Sequence, residues 1–314
     1  MDKLTAEGLA GIRLLFCMAK ADGLLRPDEK FALEDALAGV QLPDGLTVAQ
    51  IEAESHDPAA LATLITTPER RDYTYAGVFA LAHCDRHLDA AEERILKTLR
   101  GAWNLKEEDD ASLRNALDAG RTTAPESPAA TQILDLNQRQ KAFVVMLHRY
   151  TLLTAVTGAI PVPLVPDLLV VPMQVKFIYD VAALFGQKSD PKTVQLMLET
   201  LGVGTGVRIA VSVIFKLVPV WGSVVGGASA YATTFALGKV AWLYYEGEGK
   251  HPIESLKPVF RAEQEKGKKD FERHRSALVE AEKQHGDTLK ALAFDLQNGK
   301  MTQQQYEVRV DALK

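Results

Sequence analysis

Cysteine is almost missing from this chain, which holds only Cys17 and Cys84 in 314 residues. Two thiols cannot build a disulfide framework, they lack the spacing of a zinc site of CxxC type, and they point to a reducing compartment. Strand-like alternation of polar and apolar residues is missing too, and the expected fold class is all-α. No stretch reads G-x-x-x-x-G-K-(S/T), HExxH, GxSxG or GxGxxG, which removes the usual phosphate cradle, zinc-protease helix, nucleophile elbow and dinucleotide turn. His83, Cys84 and His87 lie together, but no third ligand or orienting carboxylate is evident beyond Asp85 and Asp89, so ordinary surface residues explain them as well. Acids among the first seven residues, with no apolar core and cleavage site behind them, argue against a secretory signal.

What the chain does contain is an ordinary folded composition, 47% hydrophobic and 25% charged, at a length that suggests two or three domains. The net charge of −5 is unevenly spread: −9 over residues 1–120, +3 over 121–250 and +1 over 251–314. An acidic head repels phosphates, so nucleic acid is not the expected partner, and cations or basic proteins suit it better. Arg121 to Thr131 (RTTAPESPAAT) carries Pro125 and Pro128 among small polar residues and reads as a linker. The expected order is an acidic helical domain at 1–120, the linker at 121–131, an apolar helical domain at 132–250 and a charged helical tail at 251–314, which from Pro258 onward reads as a solvated helix or half of a weak coiled coil. In the first domain Leu9, Ile12, Leu15, Phe16 and Ala19 recur at helical spacing.

From Leu152 to Pro166 no residue is charged. Pro161, Pro163 and Pro166 cannot sit inside one straight spanning helix. The stretch therefore predicts a helix to about Gly158, a proline-rich turn and a second helix with Asp167 as N-cap. Leu217 to Gly238 gives 22 further residues without charge, enough to cross a bilayer core. Gly222 and Gly226 stand in GxxxG register there, Ala228, Ala232 and Ala236 follow at intervals of four, and Gly202 and Gly206 repeat the spacing upstream. Small residues so placed let helix backbones approach closely, either in a membrane or in a tightly packed soluble core, and both readings stay open. Arg139, Lys141 and Arg149 precede the first apolar stretch, as expected of a cytoplasmic flank facing anionic lipid.

A repeat with an offset of 63 residues sets Ala19–Leu33 over Ala82–Leu96 and matches five of fifteen positions. It aligns Asp22 with Asp85 and Glu29 with Glu92, each pair at a junction between two helices. Four carboxylates there suit Ca²⁺ or another divalent cation, while helix capping by Asp89 and Glu92, and by Glu29 behind Pro27, explains the same residues without a metal. The EF-hand spacing is absent from both copies.

The paired segments A-x-A-D-G-x-L-x-x-x-E and A-x-x-D-x-x-L-x-x-x-E resemble TerB-like domains, of the tellurite-resistance and DjlA N-terminal type, over residues 1 to about 120. Arg86 stands where a glycine is common in the second segment. The resemblance implies a helical bundle, an acidic surface with metal affinity, and assembly with membrane proteins in stress responses, without catalysis. VTGAIPVPLVPDLLVVPMQVKFIYDVAALFG, through Ile160, Pro161, Pro163, Asp167, Gln174, Phe185 and Gly186, is similar to the domain of unknown function found after some bacterial GTPase domains and in YcjF-like inner-membrane proteins. Gly299 is expected to stop a helix and Thr302 to cap the next, and this ending, NGKMTQQQYEVRVDALK, resembles the bacterial short C-terminal domain, which implies self-association through the tail. The expectation is thus a non-enzymatic adaptor at the cytoplasmic face of a bacterial inner membrane, its head recruiting a partner or cation. The alternatives are a membrane-active helical protein that forms pores or remodels bilayers, a regulator of a separate GTPase, and a metal-dependent enzyme built on Asp22, Glu29, Asp85 and Glu92.

Overall fold

A computed structural model describes residues 4–21, 33, 37, 42–83, 88–106, 108, 110, 111, 113, 114, 132–160, 165–201, 222–297 and 299–313, with residues 44, 165–168, 222–225 and 297 described by backbone alone. The fold is all-α: twelve α-helices and no strand occur among the described residues. They fall into two compact units, one from residues up to 114 and one from 132–201 together with 224–313.

The first unit holds α1 (Ala6–Ala19), α2 (Val48–Ala53), α3 (Pro58–Thr63), α4 (Pro68–Ala82) and α5 (Ala90–Trp103). Thr5 caps α1 by accepting from the Gly8 amide. Ile12, Leu15, Phe16 and Ala19 are buried as the spacing predicts, but so are Ala10, Leu14 and Met18, because α1 lies against both α3 and α4. In α4 every residue from Tyr73 to Ala82 is buried, so no polar stripe remains for a periodicity argument to detect. Polar side chains close the ends of these helices. The Glu7 carboxylate accepts from the amides of Thr66 (2.8 Å) and Thr67 (3.1 Å) just ahead of α4. Lys20 donates to the carbonyls of Glu52 and Glu54, each at 2.7 Å, at the end of α2. The Trp103 indole donates to the Ala62 carbonyl in α3 at 3.1 Å.

The second unit holds α6 (Leu136–Gly158), α7 (Val165–Leu184), α8 (Pro191–Thr200), α9 (Gly222–Glu246), α10 (Lys257–Phe271), α11 (Arg275–Gln297) and α12 (Gln303–Asp311). Asp135 caps α6 by accepting from the Gln138 amide at 2.7 Å. The helix ends at Gly158, where the sequence places it. α7, however, already runs from Val165, so Asp167 sits inside the first turn rather than at the N-cap, and Pro166 occupies an early position that needs no amide donor. Pro161 and Pro163 lie outside the described residues. Gly186 follows α7 with φ +70°, and a Cβ there would stand 2.9 Å from that of Gln132, two reasons for glycine at this turn. Among the described residues no helix is long and apolar enough to cross a membrane; residues 217–221 of the spanning candidate, like Gly202 and Gly206, lie outside them.

Residues 251–314 differ most from the expectation. The charged segment is no separate solvated tail: Phe260 joins a core with Phe143, Phe177, Tyr245 and Ile253, and Phe271, Leu278, Leu289, Leu292, Tyr306 and Val310 form a second core with Leu153, Met173 and Tyr231. Few apolar residues suffice because those that face inward are mostly large, while Val279, Phe294 and Val308 stay exposed. Gly299 (φ +69°) ends α11, and Thr302 with Gln305 forms a capping box on α12, as the sequence suggests.

Candidate functional site

Of the four carboxylates proposed for a cation, Asp22, Glu29 and Asp85 lie outside the described residues. Glu92 is at the start of α5, where its carboxylate accepts from the Asp89 amide at 2.8 Å while Asp89 accepts from the Ala91 amide at 2.6 Å. This is a capping box, and negative charge in the first turn also suits the helix dipole. No group of three metal-ligating side chains occurs among the described residues. Cys84 and His87 fall outside them, and His83 has a structural setting: its ring stacks on Phe79 at 4.1 Å and Nδ1 lies 2.8 Å from the Phe79 carbonyl oxygen. Cys17 is half-buried, and burial pushes its thiol pKa up, the reverse of what a nucleophile needs.

The small-residue spacing of α9 is used within the chain. A Cβ on Gly226 would lie 2.5 Å from the Gly158 carbonyl oxygen, and one on Gly158 would lie 2.9 Å from the Gly226 oxygen and 2.8 Å from the Ala230 side chain. One turn along, a Cβ on Gly227 would meet the Ala155 oxygen at 2.9 Å. The two backbones are therefore in direct contact along α6 and α9, which only glycine permits. Gly222, the partner in the register, is described by backbone alone.

This seam continues as a chain of buried hydroxyls. Thr154 and Thr234 share a hydrogen bond of 2.9 Å, Gln174 donates its amide to Thr234 at 2.9 Å, and Thr234 returns its proton to the Ala230 carbonyl at 2.8 Å. Thr157 reaches the Tyr306 hydroxyl at 3.1 Å, tying α12 to the same face. All five side chains are fully buried. Gln174 belongs to the pattern behind the second resemblance, and here it bridges α7 to α9. Burial drives the Tyr306 phenol well above its ordinary pKa, so it stays neutral.

A third cluster was not visible in the sequence. Arg149 on α6 donates to Asp311 at 2.9 Å and to Glu307 at 3.3 Å on α12. Lys176 on α7 donates to the Tyr150 hydroxyl at 2.5 Å and to Asp180 at 3.1 Å, and Tyr150 donates to Asp180 at 2.6 Å. Glu307 is only 2% exposed, and its basic partners Arg149 and Lys176 stand 158 and 131 positions earlier in the chain, so no local pattern joins them. Burial, then the negative charge of Asp180, raises the Tyr150 phenol far above its normal range. The set fixes α12 against α6 and α7; with the phenol protonated and each charge opposed, it offers no poised base.

Compared with known proteins, the chain is similar to magnetosome membrane protein 22 of Magnetospirillum gryphiswaldense, at 29% identity over 135 residues, 39% of this chain and 69% of that protein. No family model matches the chain. No solved structure matches it.

Proposed function

We propose that this chain is a non-enzymatic, membrane-associated adaptor or scaffold of the tellurite-resistance TerB type, with the acidic N-terminal unit recruiting a partner protein or divalent cation and the second unit holding it at the cytoplasmic face of a bacterial inner membrane. The observation that carries the membrane part is the similarity to a magnetosome membrane protein. The acidic balance of residues 1–120 and the paired carboxylate junctions support recruitment through the head. The interior of the second unit favours a scaffold over a pore. Among the described residues, Gly158, Gly226, Gly227, Thr154, Thr157 and Thr234 are consumed in contacts among α6, α7, α9 and α12 of one chain, and so are not offered to other copies.

Fractionation of cells that express the chain tests this reading. Recovery with membranes, tested for release by high salt and by carbonate, is the expected result. Recovery entirely in the supernatant of a low-salt lysate, together with no melting shift of the protein in millimolar Ca²⁺ or Mg²⁺, leaves neither half of the proposal standing.

A further inference from the structure

We infer that the outward face of the N-terminal half of α6 is the surface that meets an anionic lipid bilayer; the inference rests on the membrane reading above and assigns it to particular residues. Val144 and Val145 are 58% and 70% exposed, and ahead of them Leu134 and Leu136 are 79% and 51% exposed. At 100° per residue Lys141 and His148 fall between the two valines around the helix, while Phe143, Leu147 and Tyr150 on the other side are buried. The exposed face is thus aliphatic with a cation at its centre.

Two observations say what covers it. From Leu136 to Gly158 the helix contains no Asp or Glu, in a chain whose net charge is −5, and the carboxylates that reach it from α12 are taken up by Arg149. The face of Val144, Val145 and Lys141, to which α6 itself contributes no acid, is complementary to anionic headgroups above acyl chains; Asp135, exposed between Leu134 and Leu136, is engaged as the N-cap of α6. The leucines are also held outward rather than left loose. Arg139 donates to the Ile133 carbonyl at 2.7 Å and packs 4.6 Å from the centre of the Phe185 ring, and the Ile133 amide donates to the Leu184 carbonyl at 3.1 Å. Val144 and Val145 on this face, with Leu134 and Leu136 beside its N-terminal end, expose aliphatic surface that water alone does not favour.

Flotation of the full chain with vesicles tests the assignment. With vesicles of phosphatidylcholine containing phosphatidylglycerol, the wild type is expected to float, with vesicles of phosphatidylcholine alone much less. Val144→Glu with Val145→Glu should lower the bound fraction at least tenfold, and Lys141→Glu several-fold, with unchanged helical circular dichroism because these positions are exposed. Leu134→Ser with Leu136→Ser, a milder pair, should give an intermediate loss. If the wild type floats and all three variants float equally well, this face is wrong while the membrane reading survives. If the wild type floats with neither vesicle, both fail. If the valine variants instead convert a dimer to a monomer on size-exclusion chromatography without lipid, the face belongs to a second copy and the lipid assignment is overturned.

Discussion

The two units solve the same problem, packing helices with no strand among the described residues, at different places on the helix. In the first, the polar ties sit at helix ends: Glu7 over the start of α4, Lys20 at the end of α2, Trp103 on the end of α3, and the Arg13 guanidinium paired twice with Glu54 at 2.7 and 2.8 Å. In the second they lie along helix faces, where glycine removes the side chain and threonine, as at Thr157 and Thr234, supplies a hydroxyl that donates to the preceding turn. The ties through Glu7, Lys20 and Arg13–Glu54 are partly solvated and work through charge, so they answer to pH and salt, whereas the Trp103 bond is neutral and buried. Face contacts exclude water and work through fit, so they answer to volume. The difference teaches which perturbation each unit should feel.

The largest effect should come from Gly226→Leu. Its side chain has nowhere to go but the Gly158 backbone, and a loss of about 3 kcal/mol or more is expected in the second unit, seen as a drop of several degrees in the melting transition. Gly101→Leu in the first unit, where nothing lies within 4 Å of a Cβ, serves as the control and should melt nearly as wild type. Equal melting of both variants would break the volume half of the comparison.

Next in size is Thr234→Val, which keeps shape and removes the hydroxyl. Gln174 and Thr154 lose a buried acceptor, at a cost of about 2 kcal/mol. Restoring the loss with a second change, Gln174→Leu, would show that the cost lies in the unmet hydrogen bond; an unrecovered double variant would place it in packing instead.

Acid should act mainly on the first unit. Hydrogen bonds from Thr66 and Thr67 hold the Glu7 carboxyl down at about 2, and the Arg13 guanidinium does the same for Glu54. Both folded values lie below the unfolded one near 4.5, so the folded state binds fewer protons. Their stabilisation is complete above about pH 4.5 and disappears as pH falls through about 2. Because solvent reaches both groups, about 1 kcal/mol or less is expected from each. Thermal melts from pH 6 to 2 should show the first unit's transition falling in that window, with a shallower slope in Glu7→Gln and Glu54→Gln. An unchanged slope in both variants would assign the acid sensitivity to other groups.

The smallest change expected is from Glu92→Gln, which keeps an acceptor for the Asp89 amide and should cost at most about 1 kcal/mol. Melting in millimolar Ca²⁺ sharpens the point. A metal-induced rise that vanishes in this variant would give Glu92 a second role beside its cap, whereas identical shifts in the two proteins would leave it a cap alone.

Much of the local structure was legible because it depends on neighbours in the chain. The end of α6 at Gly158, the capping box of Asp89 and Glu92, the break at Gly299 and the cap at Thr302 all involve residues within a few positions of one another. The start of α7 was missed, since an Asp after a proline reads as a cap although the helix has already begun at Val165. The tail was misread for a different reason. Its apolar residues are sparse, and sparse positions look solvated until Phe271 and Tyr306 are seen inside a core with Tyr231 and Leu153.

By itself the sequence determined an all-helical chain, its acidic head, its two uncharged stretches and the glycine spacing where helices can touch. The tertiary structure alone decided what they touch. Gly226 meets Gly158, Gln174 meets Thr234 and Arg149 meets Glu307 across separations of 60 residues or more, because periodicity specifies which face of a helix is apolar or small but carries no information about the helix that will lie against it.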